Sequence, residues 1–105
     1  MHELPLPDWS LNRVHIELRS LRKPGDRDIL VEWANEAWQD PNADIADPDP
    51  KSKSGISVRL IGYSPSAGFV ITVIAFRQNG VLWGSTAWPS SRAERRIYDA
   101  KVVQK

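Results

Sequence analysis

Residues 56 to 88, "ISVRLIGYSPSAGFVITVIAFRQNGVLWGSTAW", restrict the fold more than any other part of the chain. "ISVRLIGY" alternates Ile56, Val58 and Leu60 with Ser57, Arg59 and Ile61, the period of a strand. "GFVITVIAFR" is almost continuously apolar, which is the pattern of a strand covered by neighbours rather than one at an edge. "VLWGSTAW" is a third run. The breaks between them are explicit: "SPSAG" joins the first two, and Asn79-Gly80 is a strong signal for a tight hairpin. The expected product is an antiparallel meander with its most apolar strand in the middle.

The flanks read as helices. Residues 1–7 alternate proline with leucine and are expected to be loose. A helix then starts at Asp8 or Ser10 and runs to about Leu21. Its spacing places Leu11, Val14, Leu18 and Leu21 on one stripe, expected to face the core. "KPGDRD" breaks the chain, and Asp28 is positioned to cap a second helix. That helix carries an apolar face of Leu30, Trp33, Ala34, Ala37 and Trp38 and stops before Asp40-Pro41. Residues 40–55 hold three Asp-Pro pairs and are expected to form a long flexible loop. Their aspartates do not have the spacing of a calcium loop. Ser91 and Glu94 have capping-box spacing at the start of a last helix, with Ala93, Ile97 and Ala100 as its expected buried stripe. The fold class expected from this order is α+β: two N-terminal helices, a three-stranded antiparallel meander and a C-terminal helix in one domain over 1–105.

Charge adds one asymmetry. The net charge is only +1, which argues against a dedicated high-affinity nucleic-acid binder. Yet acids crowd positions 26–49, and from Lys51 onward the acids are Glu94 and Asp99 alone among many Lys and Arg. A basic half in a neutral chain can present one positive face. The absence of cysteine excludes disulfides and thiolate metal sites. "FVITVIAF" is too short to span a bilayer, and the first residues have no secretory pattern. A cytoplasmic protein without membrane contact is the expectation.

Several segments, in order, resemble the BrnT family of type II toxins. "VHIELRS" resembles its first helix and "WANEAWQDP" its second. "RLIGYSPSAGFVITVIAF" resembles its first sheet hairpin, and "STAWPSSRAERRIY" its last strand, turn and Glu-Arg-Arg helix. The resemblance covers about residues 13–99. It implies a RelE-like fold, metal-independent endoribonuclease activity without a cofactor, and a DNA-binding antitoxin protein as partner. Two departures stand out. Trp88 occupies the place where members commonly carry a phosphate-holding arginine, and "LRKPGDRD" is longer than the usual turn.

Metal-free RNA cleavage requires a base for the 2′-OH, a cation for the charged phosphate and an acid for the leaving oxygen. His15 is the best acid–base candidate, because its ordinary pKa lies near neutrality; His2 is poorer. Arg59 and Arg77 lie on adjacent strands; both pointing from the sheet's less buried face, they would supply the phosphate clamp that Trp88 cannot. Trp88 could stack on a base. Arg92, Arg95 and Arg96 form a basic helix face for RNA or antitoxin, with Lys51 and Lys53 as further RNA contacts. Glu94 reads as a cap and Tyr98 as core. The alternative function is a non-catalytic, toxin-derived module that binds a partner protein or nucleic acid.

Overall fold

The structure, a computed structural model, describes residues 4–103. It is α+β. The elements in chain order are α1 (Arg13–Glu17), α2 (Arg19–Arg22), α3 (Val31–Trp38), β1 (Asp44–Ala46), β2 (Ser57–Ser64), β3 (Phe69–Gln78), β4 (Val81–Pro89) and α4 (Arg92–Val103). The strands form one antiparallel sheet in the order β1-β2-β3-β4. Three strands were expected, and the fourth, β1, lies inside the stretch read as a flexible loop. Three residues are too few to show a period, so only their pairing with β2 defines them as a strand. The same stretch is further pinned by Asp49, which is buried and whose amide donates to the Ser57 carbonyl at 2.7 Å.

The meander itself follows its sequence. Asn79 and Gly80 both take positive φ, 52° and 76°, as a two-residue hairpin turn requires. Ile74 pairs with Thr86 and Ala75 with Gly84, so Ser85 is an extra residue that bulges β4.

Alternation along the strands gives the sheet two unlike faces. On the inner face, Val58, Leu60, Ile71, Val73, Ala75, Leu82 and Ala87 pack against Trp9, Ile16, Ile29, Val31, Ala34, Ala37 and Trp38. Each fully buried aliphatic side chain stabilises the fold by about 1.5–3 kcal/mol before entropy is counted. Helix α3 lies so close to β2 that a Cβ on Gly62 would run into the Ala37 carbonyl. Near the edge of this layer, Trp33 meets Phe69 edge-on at 6.1 Å, and the Arg27 guanidinium sits 4.6 Å over the Phe69 ring.

The N-terminal helices depart from expectation. The run is split at Leu18, whose φ and ψ are −125° and 37°, into two short helices. Leu11, Val14, Leu18 and Leu21, the stripe expected in the core, are all exposed, while Trp9 and Ile16 are buried. The preceding segment takes the core position instead. Asp8 bridges to Trp83 at the β4 edge, and the Trp9 ring lies where a Cβ on Gly84 would be. Leu4 packs against the same cluster, so the described part of residues 1–7 is held rather than loose.

Capping is also non-local. Asp28 does not cap α3; its carboxylate accepts from the amide and hydroxyl of Ser20, at the start of α2. Glu17, from α1, accepts from the Val31 amide at 2.9 Å and so caps α3. At α2 and α3 an exposed donor of the helix start is thus satisfied by another segment.

Candidate functional site

Helix α4 lies on the outer face, against β2 and β1. Its capping box forms as expected: the Ser91 amide donates to Glu94 Oε1 at 2.7 Å, and the Glu94 amide donates to Ser91 Oγ at 3.2 Å. Its expected buried stripe does not. Ala93, Ile97 and Ala100 are exposed, while Tyr98 is buried and Glu94 half-buried. Polar bonds rather than an apolar stripe orient this helix. Trp88 Nε1 donates to Glu94 Oε1 at 3.0 Å, and the Tyr98 hydroxyl donates to Asp40 Oδ2 at 2.6 Å. The same Asp40 oxygen accepts from the Tyr63 amide. Burial pushes the Tyr98 phenol well above its usual range, and the bond to Asp40 adds to this. Burial alone would raise the Glu94 carboxyl, but bonds from the Ser91 amide, the Trp88 indole and the Thr72 and Ser91 hydroxyls outweigh it and hold it low.

Trp88 is therefore tied to the helix cap through its ring-edge Nε1. It lies on the outer face opposite Thr72, whose hydroxyl is 2.7 Å from that of Ser90.

The three residues proposed for catalysis are not assembled. Arg59 pairs with Ile74 on β2–β3 and shares the outer face with Ile61. Arg77 follows Ile71, Val73 and Ala75 and lies on the inner-face side, because side chains alternate. The two arginines thus point from opposite faces and cannot form a clamp. His15 is on α1, which packs beside β4. From there to β2 is two strand spacings, about 10 Å. Its pKa is pushed down by burial and then by the neighbouring charges of Arg22 and Arg19. His2 lies outside the described residues.

The arginines also differ in how they are held. Arg77 makes a two-pronged bond to Asp47, at 3.0 and 2.7 Å, on the exposed rim of the sheet. This bond raises the Arg77 pKa and lowers that of Asp47. Arg59 has a side chain only 18% exposed, but its one carboxylate neighbour, Asp44, is 3.8 Å away. Its Nε is buried with no hydrogen-bond partner. An N–H removed from water without an acceptor is costly to the fold.

Beside Arg59 the outer face is half-buried rather than closed. The row Arg59–Ile74–Thr86 is followed by the row Ser57–Phe76–Trp83, all half-buried. Phe76 and Trp83 are cross-strand neighbours. The Asp49 amide on the Ser57 carbonyl brings the 47–56 loop to this end of the sheet, with Lys51 and Lys53 exposed on it. Arg92, Arg95 and Arg96 are exposed as expected, but with Asp99 they line a shallow cleft next to Val70. Val70 lies beyond Thr72 on β3, so this cleft is on the far side of α4 from Phe76 and Trp83.

The sequence reading passed over Phe76 and Trp83, although the hairpin register around Asn79-Gly80 already makes them partners. Among the described residues, no group of three His, Asp or Glu side chains is arranged to hold a metal. Nor is any helix long and apolar enough to cross a membrane. Comparison of the chain with protein-family models, with curated proteins and with solved structures finds no match in any of the three.

Proposed function

We propose that this chain is a non-catalytic, toxin-derived module that binds single-stranded RNA on the open outer face of its sheet. The observation that carries this reading is Arg59, whose side chain is 18% exposed, whose buried Nε has no acceptor and whose nearest carboxylate is 3.8 Å away, beside the half-buried cross-strand pair Phe76 and Trp83. A phosphate oxygen would supply the acceptors that Asp44, at 3.8 Å, does not. Phe76 and Trp83 offer faces for bases, and Lys51 and Lys53 add charge at the same end. The α+β order is the one a BrnT-like toxin would have. However, endoribonuclease chemistry needs base, cation and acid around one phosphate, and His15, Arg59 and Arg77 are apart.

The test is anisotropy of a labelled single-stranded RNA at two salt concentrations, together with gel analysis of the same RNA. Arg59→Ala is expected to weaken binding and flatten its salt dependence. Trp83→Ala should cost about 1–3 kcal/mol of binding. The RNA should remain intact throughout. Discrete cleavage abolished by Arg59→Ala would restore the endoribonuclease reading. Binding indifferent to both substitutions would remove the proposed site.

A further inference from the structure

Helix α4 carries a cluster of cations that the outer sheet face does not use. Arg92, Arg95 and Arg96 recur at i, i+3 and i+4, the spacing of one helical face, and all three are exposed. Arg13, Arg19 and Arg77 each meet a carboxylate within 3.2 Å. Arg92, Arg95 and Arg96 meet none among the described residues, although Asp99 lies one turn further along the same face. Like charges at these spacings destabilise a helix, and no described group offsets that cost.

The three side chains line one place. With Asp99 and Val70 they form a shallow cleft of about 360 Å³ between α4 and the start of β3. Its walls are fixed to each other: the Ser90 amide donates to the Val70 carbonyl at 3.0 Å, and the Ser91–Glu94 capping box sets the helix start. Charge limits the occupant. Three guanidiniums against one carboxylate leave about +2, which a phosphomonoester of about −2 offsets and a singly charged phosphodiester or carboxylate does not. Guanidinium forks suit phosphate oxygens. Asp99 can only accept, which suits a sugar hydroxyl beside the phosphate. A shallow cleft leaves most of a free small ligand in water, so the phosphate belongs to a larger molecule held elsewhere on the chain.

We infer that this cleft holds a terminal phosphate of the RNA whose bases lie on Phe76 and Trp83. The inference rests on the RNA reading and adds to it recognition of the strand's end. Val70 and Phe76 both lie on β3, about 20 Å apart at strand spacing, a distance that about six stacked nucleotides span. Helix α4 stands between the two places, so the strand passes it on the way.

The probes are internally labelled single-stranded RNAs of one sequence, about twelve nucleotides long to allow for the passage around α4. They differ only in their ends: 5′-phosphate, 3′-phosphate, or hydroxyl at both. The full chain should bind one phosphate-ended RNA at least about tenfold more tightly than the hydroxyl-ended one, and which of the two does so identifies the end. Arg95→Gln with Arg96→Gln, at exposed positions, should erase that preference. Trp83→Ala should weaken all three RNAs by the same factor and leave the preference intact. Equal binding of the three RNAs, still weakened by Trp83→Ala, overturns the inference and leaves the RNA reading standing. A preference that survives in the Arg95/Arg96 variant also overturns it. If no RNA binds but a phosphoserine peptide does, and is lost in that variant, the RNA reading falls and the cleft passes to a phosphorylated protein.

Discussion

The two faces of the sheet are built on different principles. The inner face is closed by apolar side chains, with α3 pressed onto β2 at Gly62 and Trp9 laid over Gly84. The outer face carries one helix, held by Trp88 to Glu94 at its start and by Tyr98 to Asp40 further along. An apolar layer is stabilised by area and tolerates no gap or excess. A polar latch fixes orientation with a few bonds and leaves the remaining surface available. The closed face accounts for the fold, and the open one for the candidate binding surface.

Substitutions that sharpen this contrast differ in size. Gly62→Ala should be the most damaging, because its Cβ meets backbone that cannot move aside; about 3 kcal/mol or more is expected in urea unfolding. A loss under about 1 kcal/mol would mean that α3 shifts readily. Next comes a paired comparison along β3. Ile71→Ala, on the closed face, should cost about 2–5 kcal/mol, and Ile74→Ala, on the open face, clearly less. Equal losses would mean that the outer face is packed as tightly as the inner one.

The latch provides the smallest effects. Tyr98→Phe removes the bond to Asp40 and should cost about 1–3 kcal/mol while leaving the inner core unaffected. Glu94 gives a pH signature. Its folded-state pKa lies below the ordinary 4.5, so its contribution is present above pH 4.5 and is lost as pH falls through the lower folded value. The stability gap between the parent and Glu94→Gln should therefore shrink on acidification over that range. A gap that stays constant would show that the carboxylate charge does not hold α4.

Legibility in the sequence follows the same division. The three long strands, the Asn79-Gly80 turn, the Ser91/Glu94 capping box and most of the α3 apolar face were readable, since each is a pattern among neighbours in the chain. The stripes of α1–α2 and α4 were equally regular, yet they point outward. Periodicity identifies a helical face but not the surface it meets, and here Trp9 and Tyr98 hold the positions those stripes were expected to fill. The candidate site was only partly legible. Arg59 could be named from the sequence, but its separation from Arg77 depends on alternation carried through β2 and β3 in register.

The sequence by itself determined the meander, its register at the hairpin and the α+β class, because turn chemistry and period-two alternation act over a few residues. The tertiary structure decided which helical faces are covered, which capping carboxylates serve which helices, and how loosely Arg59 is held. Those outcomes depend on groups far apart in the chain: Tyr98 on Asp40, Glu17 on Val31, and Arg59 facing an aspartate 3.8 Å away.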